Sequence, residues 1–404
     1  MSGQAIRQDE LQCREAEPLL PWAGIDLQIL LIYGLLLGIG LLMVVSASIG
    51  VADAQLGDPF YYGKRQFLRM LIGMGLVLLA LRIPTQFWIR NGMMLMMCAL
   101  AMLVLVLIPG VGRTVNGATR WLDLGLFTVQ VSEIAKLFLI IYLSGYLIRR
   151  SDEIRNGARG FINSMVILAV ASALLLMEPD FGAAVVLLAT GLGMMFLGGV
   201  RFGQFMLFLA GTLIIMVVMA LASPYRLARI TSFLDPWADP YNSGFQLTQS
   251  LIAVGSGGWF GAGLGGSIQK LFYLPEAHTD FLFAIYAEEF GLVGVVALIA
   301  LYLWFLLRCF QIGREALTRG QAFGAYLVYG VGLLITLQAL INISVNLGAL
   351  PTKGLTLPFI SYGGNSILVM SFAIGLVLRV AWEIQQPEQA PVRRKRRKQQ
   401  GVRR

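Results

Sequence analysis

The stretch FLFAIYAEEFGLVGVVALIALYLWFLL, residues 281–307, is long and apolar enough to cross a bilayer as a single helix. It begins directly after Glu276-Ala277-His278-Thr279-Asp280, where an acid, the chain's only histidine and a second acid fall within five positions. The apolar run sets the fold class. The border in front of it sets the first chemical question, because a carboxylate is costly to hold charged at the edge of a span. Asp280 is therefore a candidate for function.

The rest of the chain repeats the apolar pattern. Hydrophobic residues make up 57% of 404 and charged residues only 13%, with a mean hydropathy of +0.74. This composition predicts an all-α, polytopic membrane protein with about ten transmembrane helices and a large extracytoplasmic loop before the eighth. The spans are expected near 27–49, 67–81, 91–108, 131–148, 161–177, 183–199, 203–222, 281–307, 322–345 and 358–382. Asp9, Glu10, Glu15 and Glu17 precede any apolar run, which does not fit the basic start of a cleavable signal peptide. The expected organisation is an N-terminal arm (1–24), one membrane domain (25–383) and a basic tail (384–404).

Basic residues orient the chain. Eight of the nine net positive charges lie in Arg393–Arg404. With ten spans both termini share a side, and the short loops of that side carry Arg82, Arg90, Arg149, Arg150, Arg155, Arg159, Arg201, Arg308, Arg314 and Arg319. Their density places both termini in the cytoplasm. The tail reads first as a topology determinant and second as a holder of anionic headgroups. Nucleic-acid binding is a remote third. Cys13, Cys98 and Cys309 show no metal-ligand spacing and no placement for an extracytoplasmic disulfide.

The other face carries the informative loops. Residues 50–66 are expected to form a short polar loop. Residues 109–130 contain Asn116–Trp121, and Glu178-Pro179-Asp180-Phe181 make a tight turn. A loop of nearly sixty residues, 223–280, is long enough to be functional in itself. Within it, Arg226–Leu234 alternates basic and apolar residues as an interfacial helix would, Phe245–Val254 is a second helical stretch, and Gly255–Gly266 is glycine-rich. The last outer loop, 346–357, contains Pro351-Thr352-Lys353-Gly354.

Each polar candidate carries two readings. Asp280 is either a general acid or base at the water–lipid border, or an acid favoured by the dipole of the helix it precedes. His278, without a second histidine or a cysteine nearby, reads as structural more readily than catalytic. Glu276 is a partner acid or a solvated one. Glu133 and Lys136 share a helix face inside the membrane and mark either a polar cavity or structural glue. Arg120 and Lys353 are loop cations suited to a pyrophosphate, or simply solvated charges. Glu288 or Glu289 would face the same cavity as Asp280. The glycines of 261–266 follow no strand, which excludes a nucleotide-binding loop. Gly34/Gly38 and Gly191/Gly193 are expected at close helix contacts. These features suit a substrate with a lipid tail and a polar head, for an enzyme or a transporter alike.

Several motifs in sequence order resemble one family. Leu274–Phe281 followed by Glu288–Gly291, Asn116–Trp121, Ser132–Leu137, Pro358–Ser366 and Val45–Ser48 are similar to the signatures of the SEDS family (shape, elongation, division and sporulation). Pro351–Pro358 resembles its division branch more than its elongation branch. Asn365 stands where a second serine is common. The resemblance implies a peptidoglycan glycosyltransferase that polymerises lipid II at the outer leaflet, inverts the donor linkage and releases undecaprenyl diphosphate. It maps the family's essential acid onto Asp280. Arg120, Lys136, Glu133, Lys353, His278 and Glu276 are the accompanying candidates for substrate binding. The implied partners are a class B penicillin-binding protein acting as septal transpeptidase, other division membrane proteins and lipid II, with no nucleic acid. The implied place is the bacterial cytoplasmic membrane at the septum. No cofactor is read from the chain, and assistance by a divalent cation stays open. Two alternatives also stand: a lipid II flippase, in which Glu133 and Lys136 would outweigh Asp280, and a non-catalytic scaffold that recruits a transpeptidase.

Overall fold

A computed structural model describes residues 24–115, 118–123, 125, 128–221, 233–242, 244–351 and 354–386. Ten long helices stand where ten spans are expected. They are α1 (Leu27–Leu56), α2 (Tyr61–Arg82), α3 (Thr85–Val106), α4 (Val131–Arg149), α6 (Arg159–Met177), α7 (Phe181–Leu197), α8 (Phe202–Leu221), α10 (Leu282–Thr318), α11 (Ala322–Asn346) and α12 (Gly364–Gln385). Among the described residues two short helices, α5 (Ser151–Asn156) and α9 (Phe245–Ser256), lie between them; α9 falls on the stretch expected to be helical. Among the described residues, seven helices are long and apolar enough to cross a bilayer, and α7 and part of α8 are shorter apolar helices.

Burial sorts the helices. In α4 nearly every side chain from Val131 to Leu147 is buried, so it runs through the middle of the bundle, while α3 exposes Met93, Met94 and Met97 as a lipid-facing helix would. The closest partners are α2 with α12, α10 with α11, and α3 with α4. Small residues permit the approach: a methyl on Gly73 would come 2.7 Å from the hydroxyl of Ser371, and one on Gly375 would come 2.8 Å from the carbonyl of Val77. Gly191 and Gly193 are packed as expected, against Leu168 and Leu333. Gly34 and Gly38 are not; they face open space, so their spacing does not mark a contact within the chain.

The loops gather at two ends. At one end Asp26 caps α1 by accepting from the amide of Ile29 (3.0 Å) and pairs with Arg308 (2.6 Å), while Glu383 binds Thr85 and Arg379. Asp280 and its neighbours occupy the opposite end.

Three expectations need correction there. The loop 50–66 shrinks to four residues, because α1 continues to Leu56, is stopped by Gly57 in the left-handed region, and α2 starts at Tyr61. The last helix begins at Gly364 rather than 358, after a turn in which Phe359 has φ +66°. The helical fold class stands, but the 109–130 loop carries regular structure of its own. Residues 109–130 contain a three-stranded antiparallel sheet, β1 (Gly112–Val115), β2 (Ala118–Asp123) and β3 (Thr128–Gln130), in the order β1-β2-β3. The sheet is pinned by Asn365, which donates to the carbonyl of Thr128 at 3.0 Å. The expected interfacial helix at Arg226–Leu234 (all but its last two residues), Asn116 and Gly117 in the 109–130 loop, Thr352 and Lys353, almost all of the N-terminal arm and most of the tail lie outside the described residues.

One helix is broken. Gly291 in α10 has φ +63° and ψ −165°, so the hydrogen-bond ladder is interrupted inside the span. The glycine-rich segment after α9 fills the gap. Ala262 and Gly263 donate to the carbonyls of Glu288 and Glu289 (2.9 and 3.0 Å), and Leu292 and Val293 donate to those of Gly258 and Trp259 (2.9 and 3.1 Å). Side chains at Gly257, Gly261 or Gly291 would collide with this backbone. The glycines therefore let two backbones meet and satisfy groups that lipid cannot.

Candidate active site

The approach to Asp280 is a tight turn. Glu276 takes φ +55°, and its carbonyl accepts from the amides of Thr279 (3.1 Å) and Phe281 (3.3 Å). The Thr279 hydroxyl donates to the Glu276 carboxylate at 2.7 Å. Leu274 and Ala277 are buried and anchor the turn from below. Asp280 follows, one residue before the N-cap of α10.

Two asparagines hold the backbone of Asp280. Its carbonyl accepts from the Nδ2 of Asn342 (2.9 Å) and of Asn346 (3.2 Å), both on α11. Its carboxylate faces Gly354: a methyl there would come 3.2 Å from Oδ2 of Asp280 and 4.0 Å from Nη1 of Arg120. Arg120, on β2, spends its other nitrogens on backbone. Nε donates to the carbonyl of Glu178 (3.4 Å) and Nη2 to that of Pro179. The guanidinium thus spans from the α6–α7 turn to the residue beneath Asp280.

Burial, then the charge of Glu276, raises the Asp280 carboxyl from its ordinary value to about 7; Arg120 opposes the shift and Asp180 adds to it. Glu178 is raised further, to about 8, by burial and by Asp180, again against Arg120. Glu178 is fully buried and neither of its carboxylate oxygens has a hydrogen-bond partner. Asp180 uses one oxygen to cap α7 at the amide of Ala183 (3.2 Å). A carboxyl that titrates near neutrality beside a fixed guanidinium can take a proton from a hydroxyl and give it up again.

The remaining sequence candidates separate. His278 packs against Tyr62 with the rings tilted (4.6 Å between centroids) and lies 5.8 Å from Tyr362, while its carbonyl accepts from the Tyr362 amide at 3.0 Å. Burial lowers its proton affinity, so the ring is neutral and packs as an aromatic. Glu276 is exposed, with its charge directed at Asp280. Glu133 and Lys136 do pair, at 2.9 Å, and Lys136 also donates to Oε1 of Gln338 at 2.7 Å. The ammonium is wholly buried between these two partners. Lys353 lies outside the described residues, between Pro351 and Gly354. Glu288 and Glu289 are buried away from Asp280. Glu288 accepts from Ser267 and the amide of Ile268 (3.0 Å), and Glu289 pairs with Lys270 (2.8 Å) and Ser46 (2.8 Å). They fasten the long loop before α10 to the bundle.

Glu178, Asp180, Gln338, Asn342 and Asn346 join the site without having been singled out from sequence. Two signals were present: two acids in a turn between spans, and three amides spaced by four on one apolar helix. Among the described residues, no group of three or more His, Cys, Asp or Glu side chains is arranged to hold a metal ion.

The sequence and the fold both have known counterparts. Residues 27–386 match the FtsW/RodA/SpoVE family, described as "Cell cycle protein". The chain is 56% identical over 371 residues to the probable peptidoglycan glycosyltransferase FtsW of Thioalkalivibrio sulfidiphilus, covering 92% of this chain and 91% of the relative. It is 55% identical over 355 residues to the protein of the same description in Nitrosococcus halophilus, covering 88% and 92%. Among solved structures, one described as the structural coordination of polymerization and crosslinking by a peptidoglycan synthase complex matches with a TM-score of 0.75 at 28% identity, covering 91% of this chain and 100% of that one. The rod shape determining protein RodA of Thermus thermophilus matches with a TM-score of 0.65 at 28% identity, with the same coverage.

Proposed function

This chain belongs to the FtsW/RodA/SpoVE family of cell cycle proteins, and we propose that Asp280 is the catalytic base of its reaction. The chain is a multi-pass membrane protein and a peptidoglycan glycosyltransferase, polymerising lipid II into glycan strands. The observation that carries the assignment is the Asp280 carboxyl itself. It is half-buried directly before a membrane-spanning helix, faces Gly354 together with Arg120, and titrates near neutral pH.

In the proposed step the 4-hydroxyl of the acceptor sugar attacks the anomeric carbon of the donor. The hydroxyl proton passes to Asp280 as the new glycosidic C–O bond forms. The anomeric C–O bond to undecaprenyl diphosphate breaks, and its electrons leave with the pyrophosphate. Attack opposite the leaving group inverts the linkage. The growing negative charge needs a fixed cation, and Arg120, whose Nη1 faces Gly354 together with the Asp280 carboxylate, is the candidate. Lys353 is a second candidate, from its place in the sequence beside Gly354. Lys136 and Glu133 support the site from within the bundle rather than touching substrate.

The partner is a class B penicillin-binding protein that cross-links the new strands; the similarity to the synthase complex supports this reading. Arginine-bearing short loops at the end opposite Asp280 support cytoplasmic termini, with Asp280 outside and arms at 1–24 and 384–404 inside. Enrichment at the division septum is part of the same reading, supported by the cell-cycle family match.

The test is lipid II polymerisation by the purified full chain with its cognate transpeptidase, comparing wild type with Asp280→Asn at equal folding. Glycan from wild type alone is expected. Glycan from a well-folded Asp280→Asn chain removes the base assignment.

A further inference from the structure

We infer that the amide face of α11, and Asn342 above all, positions the reacting carboxyl of Asp280 by tying two separate backbone segments together. The inference rests on Asp280 being the base.

Gln338, Asn342 and Asn346 are spaced by four and lie on one face of α11. All three are buried to within 1% of full burial, so none is placed to touch a substrate. Asn342 spends its Nδ2 hydrogens on two carbonyls that are far apart in sequence, those of Asp280 (2.9 Å) and Leu355 (2.5 Å). Asn346 adds a donor to Asp280 (3.2 Å) and a second to the carbonyl of Asn342 (2.9 Å). Gln338 donates to the carbonyl of Thr356 at 3.2 Å, and its amide cannot flip, because its oxygen accepts from Lys136 at 2.7 Å. The carbonyl of Asn346 in turn accepts from Ser250 of α9 at 2.8 Å, which ties the long outer loop to the same face.

One segment held this way carries the carboxyl of Asp280. The other carries Gly354, which the carboxyl and Arg120 both face. Asn342 therefore sets the spacing between the base and its surroundings. The side chain has no charge of its own. The charged groups facing Asp280 come from elsewhere: Glu276 from its own turn, Arg120 from β2 and Asp180 from the α6–α7 turn. Loosening α11's hold would change the position and hydration of the carboxyl without changing that charge set. Few other side chains offer two donors at this reach. Leucine of similar size offers none: it takes the side-chain donor from the Leu355 carbonyl and leaves the Asp280 carbonyl with only the longer bond from Asn346.

The experiment compares wild type, Asn342→Leu, Asn342→Gln and Asp280→Asn as full-length protein, with lipid II as substrate, kcat and KM measured across pH, and folding followed by thermal unfolding. For Asn342→Leu, kcat should fall by about 100-fold, the size of effect that a 1 Å misplacement produces, with KM changed little. The midpoint of the acid limb should fall by about one pH unit as the carboxyl gains water. Asn342→Gln, which keeps both donors, should restore part of kcat and return the midpoint toward wild type. Asn342→Ser, smaller and still a donor, takes the same readouts if the leucine variant does not fold. A folded Asn342→Leu or Asn342→Ser chain with wild-type kcat, or with reduced kcat and an unmoved acid limb, overturns the inference. An active Asp280→Asn chain instead overturns the base assignment, so the two failures are distinct.

Discussion

The carboxylate of Glu133 and the ammonium of Lys136 lie 2.9 Å apart with neither exposed to solvent. A pair buried this deeply contributes little net stability while both partners remain, yet losing one leaves a charge with no water to solvate it. Lys136→Met should therefore destabilise the protein by about 3–5 kcal/mol, and the double variant Glu133→Gln/Lys136→Met should recover part of that loss. Thermal unfolding of the purified protein measures both. Since Lys136 also orients Gln338, activity should fall further than folding, through misplacement of the 354–356 segment.

Asp280 has to be ionised to accept a proton, and its carboxyl titrates at about 7. Polymerisation should rise with pH through that value and flatten above it. Initial rates across the neutral range give the midpoint. A limb centred near the ordinary carboxylate value would mean that a different, solvated acid controls the rate.

Glu178 makes a prediction about stability. Its carboxyl rises from an ordinary 4.5 to about 8 on folding, so the folded chain holds this proton more tightly than the unfolded one. The stabilisation is fully present below the unfolded value and is lost as pH rises through about 8. Asp280, raised from 3.8 to about 7, has the same sign. Glu178→Gln should flatten this dependence, matching wild type near pH 4 and exceeding it near pH 9, with about 2–4 °C in Tm for each kcal/mol relieved.

Gly291 should tolerate no side chain. Its φ of +63° with ψ −165° is a region that glycine alone enters readily, and a methyl there would run into the backbone of Trp259, Phe260 and Gly261. Gly291→Ala should cost about 2–3 kcal/mol and release the 257–263 segment from α10. Faster proteolysis within that segment, measured beside Tm, would separate local release from general unfolding.

Much of the architecture was legible in the chain. Apolar runs of spanning length mark the helices, because a backbone in lipid has to satisfy its own polar groups. Asp280 stood out for the same reason, as a charge at the edge of such a run. The break in α10 was less visible. Residues 281–307 read as one uninterrupted span, since hydropathy is blind to φ and ψ, and the glycine-rich stretch that repairs the break reads as a mobile loop. The sheet at 112–130 was missed because its strands are short and partly exposed.

The sequence by itself determined that this is a membrane protein, where its spans lie, and which carboxylate sits at the border of one. It also carried enough ordered motif to indicate the family. Only the tertiary structure decided what surrounds that carboxylate. Arg120, Glu178, Asp180, Asn342 and Gly354 are scattered over more than two hundred residues of chain, and they meet because α6, α7, α11 and β2 end at the same depth. The partners of Lys136, Glu288 and Glu289 were decided the same way. A charge read along a helix looks free until its partner arrives from elsewhere in the chain, and here Gln338 of α11 and Ser267 and Lys270 of the loop before α10 supply those partners.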